Sequence, residues 1–259
     1  QNSEGCEAGK TLEVELYREM EEIKNTAVII GSHDLILDVM ADMMPNQFLG
    51  MYLSSTHVGS MGGLMALKRG EAHIAPVHML DEETGIYNVS YIEKLFQEPV
   101  ALIKGVGRVQ GIMVKKGNPL NISSIEDLKK VRFVNRQRGA GTRMLLDFCL
   151  KKRGILTEEI KGYDREAATH MAVAALVAGE SADAGLGIRS AALAMKLDFI
   201  EVGQEEYDFA VPEKYLDLPY IQAFIQILKS EEFHQKLQEL EGYTWERAGE
   251  IVTVNGNIS

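Results

Sequence analysis

From Asn135 to Arg143 the chain reads Asn-Arg-Gln-Arg-Gly-Ala-Gly-Thr-Arg, between the strand-like Val131–Val134 and the helix-like Met144–Leu150. The spacing predicts a short buried strand, a turn with two glycines, and a helix with Thr142 in its first turn. The first N–H groups of a helix have no intrahelical partner, and the helix dipole places partial positive charge there. Gly139, Ala140, Gly141 and Thr142 are therefore a candidate cradle for a small anion. Two phosphate motifs do not fit. A P-loop needs lysine after the second glycine, and a dinucleotide fingerprint needs a third glycine where Met144 stands. The other reading is that Gly139 and Gly141 only let the chain turn.

Further polar turns precede helical patterns in the same way. Ser32-His33-Asp34 has the residue types of a hydrolase triad, but three consecutive residues cannot converge on one another. Instead Ser32 or Asp34 caps the helix from Leu35, and Ser32 and His33 become candidate ligand contacts. Ser60 in Gly59-Ser60-Met61-Gly62-Gly63 has the same two roles, and its glycine surroundings favour binding. Thr169-His170 opens an apolar helix; His170 either donates to an anion or sits at the cap. Arg136, Arg138 and Arg143 cluster on the glycine turn. Arg138 is placed in the candidate site, the alternative for all three being salt bridges to the chain's own carboxylates. His73 and His78 lack zinc-ligand spacing and cysteine partners, so no metal site is expected. The loop His78–Asn88 either lines a cleft or folds on itself, and Trp245 reads as packing. No nucleophile-base pair survives these checks, so no catalytic residue and no cofactor are assigned.

The chain has 259 residues, 46% hydrophobic and 25% charged, with a net charge of -11. Such a length holds one large domain or two lobes with ample core. The acidic balance argues against nucleic acid or an anionic membrane as partner. No apolar run is long enough to cross a bilayer and no signal-peptide pattern appears. Cys6 and Cys149 do not suggest a disulfide framework; Cys149 reads as a small core residue. A reducing, cytoplasmic compartment fits, with a periplasmic or extracellular location as the alternative if a signal peptide has been removed.

These turns must be positioned by a scaffold. Thr11–Tyr17 alternates apolar and polar like a half-buried strand, after the turn-rich segment Glu4–Gly9, and residues 1–24 read as the tail of an upstream domain with a linker. From Asn25 onward strands and helices alternate. Strands are predicted over 26–30, 50–55, 72–77, 109–115, 132–135, 182–188, 199–202 and 207–211. Helices are predicted over 35–44, ending before Pro45, then 64–69, from 125, from 142, over 169–178, 218–229 and 230–240. This is the pattern of an α/β fold with two lobes, each a mostly parallel sheet flanked by helices. Residues 25–105 and 207–259 form one lobe, and 106–206 the other. Ligands of such sheets bind beyond the carboxyl ends of the strands, where the polar turns lie.

Several segments together resemble a type II periplasmic-binding-protein-like domain of the group related to molybdate- and tungstate-binding proteins. They are Gly59–Leu64 with Arg69–Ala72, His78–Asn88, Arg108–Gly111, Asn135–Arg143, and Thr169–Ala174 with Ala182–Gly187. The resemblance covers residues 25–252. It implies that a dehydrated tetrahedral oxyanion is held in the cleft by hydroxyls and backbone N–H groups at Ser32, Ser60, Gly139–Thr142 and Thr169–Met171. His33 and the flanking arginines depart from the molybdate pattern. Separately, Glu7–Leu16 is similar to the closing strand of the molybdopterin molybdenumtransferase (MoeA) family, some members of which carry this domain at their C-terminus. Related domains are also fused to helix-turn-helix modules.

The resulting expectation is a non-catalytic domain that captures a small oxyanion, molybdate or tungstate first, in connection with molybdenum cofactor biosynthesis and with an upstream fused domain as partner. The alternative is a regulatory domain of a fused enzyme or helix-turn-helix regulator that senses a pterin or organic anion.

Overall fold

The computed structural model describes residues 9–255. The turn-rich segment at 4–9, with Cys6, lies outside that range except for Gly9. Residues 11–16 take no regular structure, and Leu12, Val14 and Leu16 are exposed. The strand predicted there is absent because a strand needs a hydrogen-bonding neighbour, and no described segment pairs with it.

The chain then runs α1 (Met20–Lys24), β1 (Thr26–Gly31), α2 (Leu35–Gln47), β2 (Tyr52–His57), α3 (Ser60–Arg69), β3 (Ala75–Val77), α4 (Val89–Leu95) and β4 (Val100–Val114). After a 3-10 turn at Ile125–Lys130 follow β5 (Phe133–Arg136), α5 (Gly141–Lys152), β6 (Glu166–Ala167), α6 (His170–Ala178), β7 (Ala184–Ile188), α7 (Arg189–Ala194) and β8 (Asp198–Pro212). The helices α8 (Pro219–Leu228) and α9 (Glu231–Leu240) and the strands β9 (Tyr243–Thr244) and β10 (Ile251–Val254) close the described chain.

The predicted elements are largely present, with three instructive differences. The helix α2 continues through Pro45 to Gln47. Proline lacks an N–H and crowds the carbonyl four residues back, but so near the end the helix forfeits one bond and still closes, with the Phe48 N–H on the Met44 carbonyl at 2.9 Å. The strand expected at 109–115 begins at Val100, and the two expected at 199–202 and 207–211 are one strand. Lys104, Gly105, Gly107 and Gly203–Glu206 look like turn composition, yet β4 and β8 pass through them antiparallel to each other, with bulges between Ile103 and Val106 and at Gln110/Gly111.

Those two strands also make the sheet mixed rather than mostly parallel. The order is β3-β8-β4-β7-β5-β6, with β9 and β10 on β4. Parallel pairing is confined to β1 with β2, an Ile29–Ile74 bridge, and β5 with β6 and β7. β4 pairs with β7, β8, β9 and β10, and β8 with β3 as well, so these two 15-residue strands join the two ends of the sheet.

Apolar clusters cover both halves. On the first, Ile29, Met40, Met44, Phe209, Phe224 and Phe233 pack under α2, α8 and α9, and Leu64, Leu67, Val77 and Leu102 under α3. On the second, Phe133, Leu146, Leu150 and Leu186 pack under α5, and Met113, Val173, Val177 and Ala192 under α6 and α7. Cys149 is buried in the α5 cluster, where desolvation pushes its thiol pKa up. No helix among the described residues is long and apolar enough to cross a membrane.

Candidate functional site

At the middle of β4 and β8, Arg108 stands directly opposite Glu205, and both are buried. The Arg108 Nη1 donates to Asp34 Oδ2 at 2.7 Å, Nη2 pairs with Glu205 Oε1, and the guanidinium lies 4.6 Å over the Tyr207 ring. Asp34 is also the cap of α2, accepting from the Ile36 N–H at 3.0 Å, and it accepts from the Tyr243 hydroxyl at 3.0 Å. Burial by itself would push the Glu205 carboxyl up. Arg108 and then His78 outweigh it and hold the group well below the usual carboxylate range. The Arg108 guanidinium is likewise desolvated, but Glu205 and Asp34 keep it firmly charged.

His78, just past β3, organises the first wall. Its Nε2 lies 2.8 Å from Ser32 Oγ, its Nδ1 lies 3.3 Å from Glu205 Oε2, and its N–H donates to Ser60 Oγ at 3.2 Å. The Ser32 carbonyl accepts from the Tyr207 hydroxyl at 2.6 Å. Most polar groups on this side are engaged with one another, although Ser60 Oγ only accepts and the buried Arg108 Nε has no partner.

The facing wall is different. Gln110, two residues beyond Arg108 on the same strand, is fully buried, and neither atom of its amide has a partner. Arg136 Nε, Thr142 Oγ1 and His170 Nδ1 are also buried and partnerless. Arg136 gives Nη2 to the Ala168 carbonyl at 3.1 Å but pairs with no described carboxylate, and burial draws its pKa down to about 10. Burial, then Arg136 and Arg108, push His170 well below the ordinary histidine value, so its ring is neutral at pH 7. Buried polar atoms without partners are uncommon, and those of Arg136, Thr142 and His170, together with Gln110 and Arg108 Nε on β4, mark a place shaped for something polar.

Gly141 brings the two walls together. A methyl group there would sit 2.6 Å from the His78 carbonyl oxygen and closer still to the imidazole. Gly141→Ala is expected to hold the walls apart and weaken ligand binding about ten-fold or more, by depleting the closed form. Titration calorimetry and small-angle scattering on the variant check this; unchanged affinity and an unchanged scattering profile would remove Gly141 from the closing contact.

The residues expected from sequence fall into three groups. Ser32, Ser60, Gly141, Thr142 and His170 meet around His78 and Arg136. Gly139 adopts a φ of 81° at the tip of the turn, and Ala140 contributes backbone as the cap of α5. His33, Arg138 and Thr169 lie elsewhere. His33 is exposed beside Asp38 and the His57 ring. Arg138 projects into solvent, 81% exposed and 3.8 Å from Glu166, because it lies in the turn beyond the last strand residue. Thr169 accepts from the Ala172 N–H at 3.0 Å and is a cap. The arginine facing the site is Arg136, the final residue of β5. Arg143 is engaged by Glu166 and lies over Tyr163.

Sequence reasoning does not assign His78, Arg108, Gln110 or Glu205 to the site, although His78 opens a loop read as either lining a cleft or folding on itself, and Arg108–Gly111 is one of the resemblance segments. Polar residues at 108 and 110, separated by an apolar one, were the available signal for one polar face on a buried strand. Glu205 had none, since Gln204-Glu205-Glu206 reads as a solvated run. His73 takes a packing role, accepting from the Val28 N–H at 3.0 Å, and Trp245 stacks on His234. Among the described residues no group of three or more His, Cys, Asp or Glu side chains is arranged to hold a metal ion.

Residues 41–229 match the model of the PBP superfamily domain, the periplasmic binding protein-like domain. The chain belongs to this superfamily. Domains of this superfamily are ligand-binding domains, typically non-enzymatic. An uncharacterized protein of Bacillus subtilis (strain 168), YvgK, is 35% identical over 228 residues, covering 87% of this chain and 73% of the relative. Among solved structures, a putative phosphate ABC transporter substrate-binding protein with bound phosphate from Clostridium perfringens aligns with a TM-score of 0.66 at 14% identity, over 85% of this chain and 99% of the other. An ancestral arginine-binding protein bound to arginine aligns at 0.57 and 18%, over 84% and 99%. At these identities the likeness establishes the fold alone.

Proposed function

We propose that this PBP-like domain captures a small anion, a tetrahedral oxyanion first of all, between its two walls. Arg136 carries the reading: a cation drawn into the protein without a carboxylate partner is costly, and a bound anion offsets that cost. The N-terminus of α5, with Thr142 Oγ1 beside it, adds donors, so the anion is held locally inside a chain of net charge -11. Hydrogen bonds to charged groups contribute about 1.5–3 kcal/mol each, and a handful suffices for micromolar affinity, near -8 kcal/mol.

Two considerations bear on the anion. The resemblance of the motif segments favours molybdate or tungstate, whereas the PBP structures reported above include one with bound phosphate. Attachment to a molybdenum cofactor enzyme rests on residues 7–16, and a cytoplasmic location on the sparse cysteines; both belong to the same proposal. Calorimetric titration of the protein with molybdate, tungstate, phosphate and sulfate is the test. A micromolar response to at least one is expected, and silence from all four would sink the proposal.

A further inference from the structure

The loop between β3 and α4 folds on itself and also crosses from one half of the protein to the other. Leu80 and Tyr87 face each other as a bridge, and the Asp81 N–H donates to the Ile86 carbonyl at 3.0 Å, so the segment is a closed finger. Met79, at its base, belongs to the apolar cluster under α3 with Leu64 and Val77. Leu80 and Tyr87, the next pair outward, are buried in the cluster under α5 with Leu146 and Cys149. The finger thus grips the helix that begins at Gly141, against His78, and carries the anion cradle at its N-terminus.

Asn88 roots the finger in the strand pair that joins the two halves. It is buried, with φ 70° and ψ -40°, and the Val89 N–H donates to the Tyr87 carbonyl at 2.8 Å, which makes a γ-turn of the rare, strained hand. Such a conformation persists only where the surroundings over-determine it. Here Asn88 Oδ1 accepts from the Met79 N–H at 2.7 Å, and Nδ2 donates to Asp208 Oδ2 on β8 at 2.9 Å. Asp208 Oδ2 in turn accepts from Lys104 Nζ on β4 at 2.6 Å.

We propose that residues 79–88 form a strap that holds the two halves closed in the unliganded protein, with Asn88 as its positioning residue. Swinging the walls apart pulls Leu80 and Tyr87 out of the α5 cluster and exposes two large apolar side chains. The strap grips alike with and without a ligand, so it sets how often the cleft opens and leaves affinity nearly untouched. The effect on ligand exchange rests on the anion-binding reading above; the closed state of the empty protein does not.

Distances between spin labels on Lys68→Cys and Lys152→Cys, in a Cys6→Ser background of the full chain, test the strap without any ligand. Both sites are exposed, one on each half, and the native Cys149 is buried. The parent is expected to give one short distance. Leu80→Ala is expected to raise the open fraction about ten-fold or more, since the loss from deleting a buried leucine side chain exceeds that factor. Leu80→Met keeps the volume and should restore the parent's distribution. Asn88→Gly accepts the positive φ but loses the side-chain bonds, and should open the cleft as Leu80→Ala does. Stopped-flow binding uses whichever of molybdate, tungstate, phosphate and sulfate responds in calorimetry. In Leu80→Ala both association and dissociation are expected to quicken about ten-fold, with Kd changed by less than about three-fold. Weaker binding without faster association would make Leu80 a packing residue only. Longer distances already present in the unliganded parent, or variants that keep its distribution, would overturn the strap and leave anion capture standing. Silence from all four anions would remove anion capture, and the distances would still decide the strap. If neither variant folds, the parent's distribution decides, one short distance supporting the strap and a spread to longer ones overturning it.

Discussion

Arg136→Met is expected to weaken anion binding by about 30-fold or more while leaving the empty protein at least as stable as the parent. Truncating one member of a buried charged contact costs about 2–5 kcal/mol of affinity, and the lower end already corresponds to that factor. Stability should move the other way. In the unliganded molecule Arg136 is a desolvated cation whose only carbonyl partner is Ala168, and its pKa, drawn down to about 10, shows burial working against its charge. Methionine keeps the aliphatic volume and removes that penalty. Arg138→Met, by contrast, alters an exposed turn residue and is expected to change affinity by less than about three-fold. Calorimetry and thermal melting of both variants check the pair of expectations. Equal losses from Arg136→Met and Arg138→Met would mean that the anion is not held by the end of β5.

The largest effect on stability is expected from Arg108→Met. Removing the arginine leaves Glu205 with His78 as its remaining polar partner and strips Asp34 of its ion pair, deep between β4 and β8. Breaking a buried ion pair from one side costs about 3–5 kcal/mol, which for a protein of this size lowers the melting temperature by roughly 10 °C. The pH dependence should change as well. In the parent, Glu205 titrates below its unfolded value, so its contribution is present above the ordinary glutamate range near pH 4.5 and is lost as the pH falls through the depressed folded value. Without Arg108, burial pushes the same carboxyl upward, and the ionised group becomes a penalty at pH 7 that fades as the pH drops toward 5. The gap between parent and variant is therefore largest at neutral pH and narrows in mild acid. Adding Glu205→Gln to Arg108→Met should recover part of the loss. A loss under about 1 kcal/mol, or a gap that does not vary with pH, would show that the network is not sustaining the strand pair.

Much of the scaffold was legible because its signals are local. The α2, α5 and α6 starts follow from capping residues, glycine turns and 3.6-residue apolar spacing at Asp34, Gly139–Thr142 and Thr169. The strands β1, β5 and β7 follow from short apolar runs bounded by polar turns. Where the reading went astray, a distant partner had overridden local composition. Lys104, Gly105 and Gly107 look like a loop, and Gln204-Glu205-Glu206 like a solvated run. They lie within long strands because Lys104 pairs with Asp208 at 2.6 Å and Arg108 with Glu205, each satisfying a charge that would otherwise exclude the segment from a sheet.

The same division separates the two arginines of the glycine turn. Sequence put both on the glycine turn but placed only Arg138 in the candidate site, since residue type and neighbourhood do not tell the two apart. Only the end of β5 decides that Arg136 turns inward and Arg138 outward. By itself, then, the order of residues determined an α/β chain with polar, glycine-bearing turns ahead of its helices, because capping and amphipathic periodicity act over three or four positions. Which side chains line the site, and that Gln110, Arg136, Thr142 and His170 lack partners, depends on the pairing of β4 with β8 and on the approach of Gly141 to His78. Those contacts join residues from 63 positions apart (His78 and Gly141) to 112 (Val100 and Pro212), and no local pattern encodes them.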